Sequence, residues 1–576
     1  MAPSVLSTTL SLVGLQVGSR LLSFGLNQLL LRSTSPQAFG VATIQLDTLM
    51  GTVLFLIREG IRGAVVRTRS SGDAAASTLQ RQSLLIPSLF IVPASLAYFA
   101  YFLVFSPTPI PPYFPTSLAL YGISTVIELV SEQLYLRTLQ DWQTLTSRRV
   151  RVEGIAIFVK AIGTLVTVWS VREEDALLAF GVGQLVYSLT IWAGLAYIVP
   201  TRQAAPGASK EPAGSSRFFG LRRVDGRYFD PAITDLGWAL TKQSVVKQLL
   251  TEGDKLAVGR FGSSADLGGY AVALNYGSLV ARILFQPLEE SSRLYFSSLS
   301  AASAPAPPAH TEHQSVDTSS TVPIRQSARP SGGPTLATLS SAASYLRLLL
   351  LVYTHLALIF WLIAPAYTTP LLHLLLGARW SRTSAAPLLR AYALSLPFMA
   401  FNGLTEAFFQ SVAPPRWIQR GSVWMCVCAA AFAGTVWATM RWMGMGAEGL
   451  IIANSVNLAL RTAFSTWFMW TYFDKAVGAL RGGDEGRDVL RTLSWRRWTP
   501  SILSLAASSA AGWACRKSET RWEDAVFVKG AGVRATAEHL AFGAAAGLAC
   551  LGVVAFSQRA EIRQLLASMR SKRKAA

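Results

Sequence analysis

The sequence predicts an all-α, polytopic membrane protein with about 14 transmembrane helices in two pseudo-symmetric lobes around a central cavity. Three observations predict it. Apolar runs near the ~20 residues needed to cross ~30 Å of hydrocarbon recur along the whole chain. Of the 576 residues 51% are hydrophobic and only 15% are charged, where a soluble domain carries about 25%. The runs are continuous rather than alternating, which excludes a transmembrane β-barrel.

In chain order the expected spans cover residues 6–31, 39–57, 83–105, 117–137, 151–171, 175–199, 233–259, 267–292, 345–366, 385–411, 421–441, 447–473, 499–515 and 535–557. The first carries Arg20 and lacks both a basic n-region and a small-residue cleavage site, so it reads as a retained span and not a cleaved signal. Six spans make an N-lobe over 1–199, and the loop 200–232 follows. Six more make a C-lobe over 233–473, interrupted by a Pro-, Ser-, Ala- and Thr-rich linker over 301–340 whose composition predicts disorder. A terminal helix pair occupies 474–557, and 558–576 is a basic tail. Residue-level similarity between the lobes is absent; their pseudo-symmetry rests on span count and on the repeats common in transporters.

The net charge of +20 would suggest nucleic acid in a soluble chain. Here the excess sits in short loops. With the N-terminus cytoplasmic, the inside loops hold roughly 33 Lys and Arg against roughly 11 outside, so both termini are expected in the cytoplasm and no nucleic-acid partner is expected. No cofactor or metal is expected either. There is no P-loop, Cys426 and Cys428 are too close for a zinc ribbon, and His310 and His313 lie in the low-complexity linker. Membrane glycosyltransferases need acidic residues on a substantial outer loop; the longest here, about 516–534, is short, so no catalytic residue is assigned.

Ionisable groups at membrane depth cost about 2.5–3.5 kcal/mol each on insertion scales, so those that persist carry information. In the first lobe Arg58 and Arg62 are four apart and project together; they suit either an anchor at headgroup level or bidentate recognition of a phosphate. Glu128 and Glu132 also share one face and suit either a proton-coupled step or a structural ion pair, with Lys160 a candidate cation. The stretch 240–300 holds Lys242, Lys247, Glu252, Asp254, Lys255, Arg282, Glu289 and Glu290. Within it Gln243, Lys247, Thr251 and Asp254 form a polar stripe that must face protein or water, and Pro287 should kink the helix that carries Arg282. All five asparagines, Asn27, Asn275, Asn402, Asn454 and Asn457, fall within expected spans and, with Glu406 and Arg461, extend a polar interior into the second lobe.

The runs TKQSVVKQLLTEGDK and YGSLVARILFQPLEES, with LIREGIR, FNGLTEAFFQ and IIANSVNLALRT, resemble the hallmark regions of the Rft-type proteins. The resemblance is matched at Arg58, Glu59, Arg62, Lys242, Gln243, Ser244, Lys247, Glu252, Gly253, Arg282, Gln286, Pro287, Glu289, Glu290, Asn402, Gly403, Glu406, Asn454, Asn457 and Arg461. Gly63 departs from it, standing where a second basic residue can follow Arg62. It implies a fold similar to the multidrug, oligosaccharidyl-lipid and polysaccharide exporter superfamily. It also implies a partner, a dolichyl-diphosphate oligosaccharide, moved from the cytoplasmic to the luminal leaflet of the endoplasmic reticulum membrane for N-glycosylation. On that reading the substrate-binding candidates are Arg58, Arg62, Lys242, Lys247, Arg282, Asn402, Asn454 and Arg461. Glu59, Glu128, Glu132, Glu252, Glu290 and Glu406 are the charge partners or coupling groups. The alternatives are an accessory protein of the same pathway that does not itself move lipid, and an ion-coupled exporter on the same fold.

Overall fold

The computed structural model describes residues 25–559 apart from 69–73, 108–109, 141, 200–220, 222, 225, 263, 302–334, 382, 481–482, 529 and 531. The expected first span thus lies mostly outside the described residues, as do most of the 301–340 linker and the basic tail. The principal helices are α1 (Asp47–Arg67), α2 (Ile91–Phe105), α3 (Phe114–Gln140), α4 (Trp142–Ser170), α5 (Ala176–Ile198), α6 (Pro231–Phe261), α7 (Ser264–Val280), α8 (Gln286–Ala301), α9 (Leu336–Leu358), α10 (Ala385–Val412), α11 (Pro415–Val436), α12 (Gly446–Ala479), α13 (Ile502–Glu523) and α14 (Gly532–Ser557). No strand forms among the described residues.

Every expected span from 39–57 onward has helix over it. Seven helical stretches among the described residues are long and apolar enough to cross a membrane on length and composition: Pro36–Val66, Phe114–Gln140, Ser147–Ser170, Glu173–Ile198, Leu336–Leu376, Arg416–Trp442 and Gly532–Ser557. Others, such as α6 with Asp235, Lys242, Lys247, Glu252, Asp254, Lys255 and Arg260, trade hydropathy for polar function. Large apolar side chains stand exposed on many of these helices, among them Leu103, Trp169, Val423 and Leu548. Exposed apolar surface on this scale marks a lipid-facing exterior. The chain is a multi-pass membrane protein.

Two local departures have simple causes. The run 83–105 is broken, with a short helix at Ile86–Leu89 before α2, because Pro87 and Pro93 cannot donate to the ladder. The disturbance expected at Pro287 takes the form of a π turn over Ala281–Phe285, immediately before α8, which places Arg282 on irregular backbone. The expected outer loop 516–534 is largely helix, since α13 runs to Glu523 and a π turn continues over Asp524–Val528.

By contact the chain divides into two compact units, Met1–Ala271 with Leu375–Ala385, and Val272–Leu374 with Ala386–Ala576. The expected lobe boundary lies in the 200–232 loop, whereas α6 belongs to the first unit. The reason is a close helix crossing. A Cβ on Gly60 of α1 would lie 2.1 Å from Thr241 Oγ1 and 2.5 Å from the Gly237 carbonyl of α6, so only glycine permits this approach. The same unit is tied at Gly40, where a Cβ would sit 2.2 Å from Gly268 N. Trp380, fully buried, donates from Nε1 to the Leu31 carbonyl at 3.0 Å.

Candidate functional site

In the first unit, α1, α3 and α5 bring one charged network into the buried interior. Arg58 and Arg62 rise from one face of α1; Glu128 and Glu132 descend from one face of α3. Arg58 Nη1 donates to Glu128 Oε2 at 2.9 Å, and its Nε lies 2.8 Å from Glu132 Oε2. Arg62 donates from Nε to Glu132 Oε1 at 2.6 Å and from Nη2 to Glu132 Oε2 at 2.8 Å. The Arg62 guanidinium also stands 4.0 Å over the Tyr135 ring. The other oxygen of Glu128, Oε1, accepts from Gln184 Nε2 at 3.2 Å and Ser188 Oγ at 3.0 Å, both on α5. Lys160 Nζ of α4 completes the chain, donating to Gln184 Oε1 at 2.6 Å and lying 3.8 Å from Asp47 Oδ1, which also accepts from Tyr121 OH at 2.9 Å.

This geometry pairs the two polar faces that spacing left without partners. Two carboxylates one turn apart would repel if unaccompanied, but here Arg58 bridges them and Arg62 adds a second cation on Glu132. The cations are Arg58 and Arg62. Lys160 is linked to Glu128 through Gln184. Burying two charge pairs requires this degree of hydrogen bonding, because desolvation otherwise outweighs the Coulombic gain. In the arrangement described, the forks of both arginines are engaged by protein carboxylates.

The other residues of the first unit make local contacts. Lys242 is exposed and stacks 5.3 Å over Trp238, and Glu252 Oε2 lies 2.7 Å from Lys255 Nζ on the same helix. Asp254 accepts from Tyr270 OH at 2.8 Å and from the Lys255 amide at 2.8 Å. The side chains of Gln243, Lys247 and Thr251 lie outside the described residues.

The second unit holds a separate cluster on α8, α10 and α12. Glu406 is its centre: Arg461 Nη2 donates to Oε2 at 2.5 Å, Asn402 Nδ2 to the same oxygen at 3.1 Å, and Gln410 Nε2 to Oε1 at 2.9 Å. Glu289 pairs with Arg293 at 2.8 Å, and its Oε2 stands where a Cβ on Gly403 would come within 2.9 Å. Glu290 accepts from Gln286 Nε2 at 2.9 Å. Asn454 and Asn457 are half-buried on α12. Arg282 is exposed, and among the described residues it donates to Ser278, at 3.0 Å from Nη2 and 3.3 Å from Nε.

Two features escaped the reading of residues alone. Ser188 is a neutral side chain whose role appears only when α5 is laid on Glu128. The pair Arg390–Glu519 joins α10 to α13, and Glu519 falls in what composition marks as a loop.

Comparison with known proteins agrees with the architecture. The Rft-1 family, described as Rft protein, matches residues 4–568. The Man(5)GlcNAc(2)-PP-dolichol translocation protein RFT1 of Yarrowia lipolytica is 31% identical over 505 residues, covering 80% of this chain and 69% of that protein. Its namesake in Mus musculus is 28% identical over 470 residues, covering 80% of each. Among solved structures, the lipid II flippase MurJ in an inward closed conformation aligns over 95% of this chain and 98% of its own, with a TM-score of 0.53 at 13% identity, a likeness of fold.

Proposed function

The chain belongs to the Rft protein family, and on that premise we propose that it translocates Man(5)GlcNAc(2)-PP-dolichol from the cytoplasmic to the luminal leaflet of the endoplasmic reticulum membrane, supplying protein N-glycosylation. The match over nearly the whole length, to relatives named for that translocation, carries the reading. It is a transport function and not catalysis.

The chemistry of the substrate fits the residues. A diphosphate and a sugar head cannot cross hydrocarbon unaided, because unsolvated charge and unpaired hydroxyls are expensive there. On this reading the candidate contacts for the head group are Arg58, Arg62, Lys242 and Lys247 in the first unit and, separately, Arg282, Asn402, Asn454 and Arg461 in the second. The polyprenyl tail stays in lipid. Glu128 and Glu132 then have a defined part: they neutralise Arg58 and Arg62 when no diphosphate is present, and a diphosphate competes with them for the same forks. Both termini face the cytoplasm, a placement supported by the charge of the loops.

One observation favours an accessory role instead: Arg58 and Arg62 are already ion-paired with Glu128 and Glu132, as structural pairs would be. Purified protein in liposomes with labelled lipid-linked oligosaccharide separates the two. Movement of the label across the bilayer supports translocation. No movement by protein that restores glycosylation in cells lacking their own copy assigns the accessory role.

A further inference from the structure

In the second unit the short turn Trp495–Arg497 meets the start of α13, the end of α14 and the flank of α9. A cavity of about 510 Å³ opens there, lined by Arg347, Arg496, Arg497, Thr499, Ser501 and Gln558 among others. Three arginines line it, and among the described residues no acidic side chain does. On the helix Gly483–Thr492, two of the three acids pair within their own turns, Asp484 with Arg487 at 3.3 Å and Asp488 with Arg491 at 3.4 Å.

The walls are fixed by specific bonds. Arg347 Nε donates to the Arg497 carbonyl at 3.4 Å, which pins the arginine turn to α9. Ser501 caps α13, accepting from the Ser504 amide at 3.1 Å, and Ser504 Oγ lies 3.1 Å from Ser557 Oγ, which ties the start of α13 to the end of α14. The cap leaves the amides of Ile502 and Leu503, like those of any first helical turn, without an intrahelical acceptor. Like charges facing one space, beside a helix start, favour an anion. The surroundings say which kind. Trp495, Ile502, Leu503 and Phe556 are all exposed, with Ile502 at 88%, giving the cavity an apolar fringe of the sort that sits at a membrane interface.

We propose that this cavity binds the phosphate of an anionic membrane lipid, with Arg496 and Arg497 on the phosphate and the acyl chains along the exposed face of α13 and α14. Its volume suits a headgroup. Basic pockets between helices at the membrane face recognise such lipids, and guanidinium forks match phosphate oxygens. None of these residues belongs to the proposed transport set, so the site stands or falls independently of that reading.

The test uses the full-length protein in a neutral detergent, titrated with dioctanoyl phosphatidylinositol 4-phosphate, dioctanoyl phosphatidylcholine and inorganic phosphate. The anionic lipid binds saturably, and the double variant Arg496→Gln/Arg497→Gln weakens it roughly tenfold or more. Phosphatidylcholine binds wild type and variant alike, and inorganic phosphate at matched concentration does not displace the lipid. Equal affinity of wild type and double variant for the anionic lipid overturns the proposal; displacement by inorganic phosphate overturns the lipid as its source. Should the double variant fail to fold, wild-type affinity is measured from about 0.05 M to about 0.5 M salt, where an electrostatic site weakens steeply and a salt-independent one sinks the idea.

Discussion

Arg62 holds Glu132 through two parallel hydrogen bonds, Nε to Oε1 at 2.6 Å and Nη2 to Oε2 at 2.8 Å, across 70 residues of sequence. Glu132 also receives Arg58, so one buried carboxylate balances contacts from two cations. Removing one member of such a set leaves the others buried and uncompensated, at a cost of about 3–5 kcal/mol. Glu132→Ala is therefore expected to lower the unfolding temperature of the detergent-solubilised protein sharply, and Arg62→Ala less, because Arg58 remains on Glu132. A charge swap, Arg62→Glu with Glu132→Arg, fails to restore stability since it sets Arg58 against a new arginine. Equal stability of wild type and Glu132→Ala by thermal unfolding would show that the network is wetted rather than buried.

The cluster in the second unit predicts a different pattern. Arg461 has Glu406 as its ion partner, whereas Glu406 has Asn402 and Gln410 besides. Glu406→Gln should destabilise more than Arg461→Gln. The double variant should be less damaged than the sum, with a coupling of about 0.5–3 kcal/mol as for residues in one network. Strict additivity in denaturation measurements would break the assigned pairing.

Gly60 and Gly63 lie three residues apart on α1, yet substitution at the two should differ. A methyl at Gly60 meets the Gly237 carbonyl at 2.5 Å, and backbone cannot yield. At Gly63 the contact is Leu240 Cδ1 at 2.9 Å, the far end of a flexible side chain. Gly60→Ala is expected to cost about 1–3 kcal/mol as overpacking, and Gly63→Ala little. Comparable unfolding temperatures for the two variants would contradict the close crossing of α1 and α6.

The contrast between those two glycines shows what a sequence can and cannot disclose. Helical stretches are legible because apolar runs of this length form helices, and Arg58/Arg62 and Glu128/Glu132 are each legible as faces because four residues make a turn. Which face meets which is not. Nothing local says that Arg58 rather than Lys160 answers Glu128, or that Ser188 does, because the partners come from helices far apart in the chain. Glu519 was hidden for another reason: its charged neighbours read as a loop, although Arg390 and the continuing helix absorb that polarity. Pro287 announced a break but not its form, since either a kink or a π turn relieves the missing donor.

The π turn that carries Arg282 bears on transport directly. Arg282 is exposed and, among the described residues, bonds to Ser278 on its own helix, so its removal breaks no long-range contact among them. Its loss should therefore leave stability within about 0.5 kcal/mol, as for a surface substitution. Function should not be spared if the guanidinium meets the diphosphate. Arg282→Ala, expressed at wild-type level in cells lacking their own copy, is expected to underglycosylate secreted proteins, while Arg282→Lys keeps the charge and loses the fork, giving an intermediate defect. The readout is the occupancy of glycosylation sites on a secreted reporter, set against expression and unfolding temperature. A glycosylation defect with unchanged stability separates a substrate contact from a packing role, and full glycosylation by Arg282→Ala would remove Arg282 from the transport set.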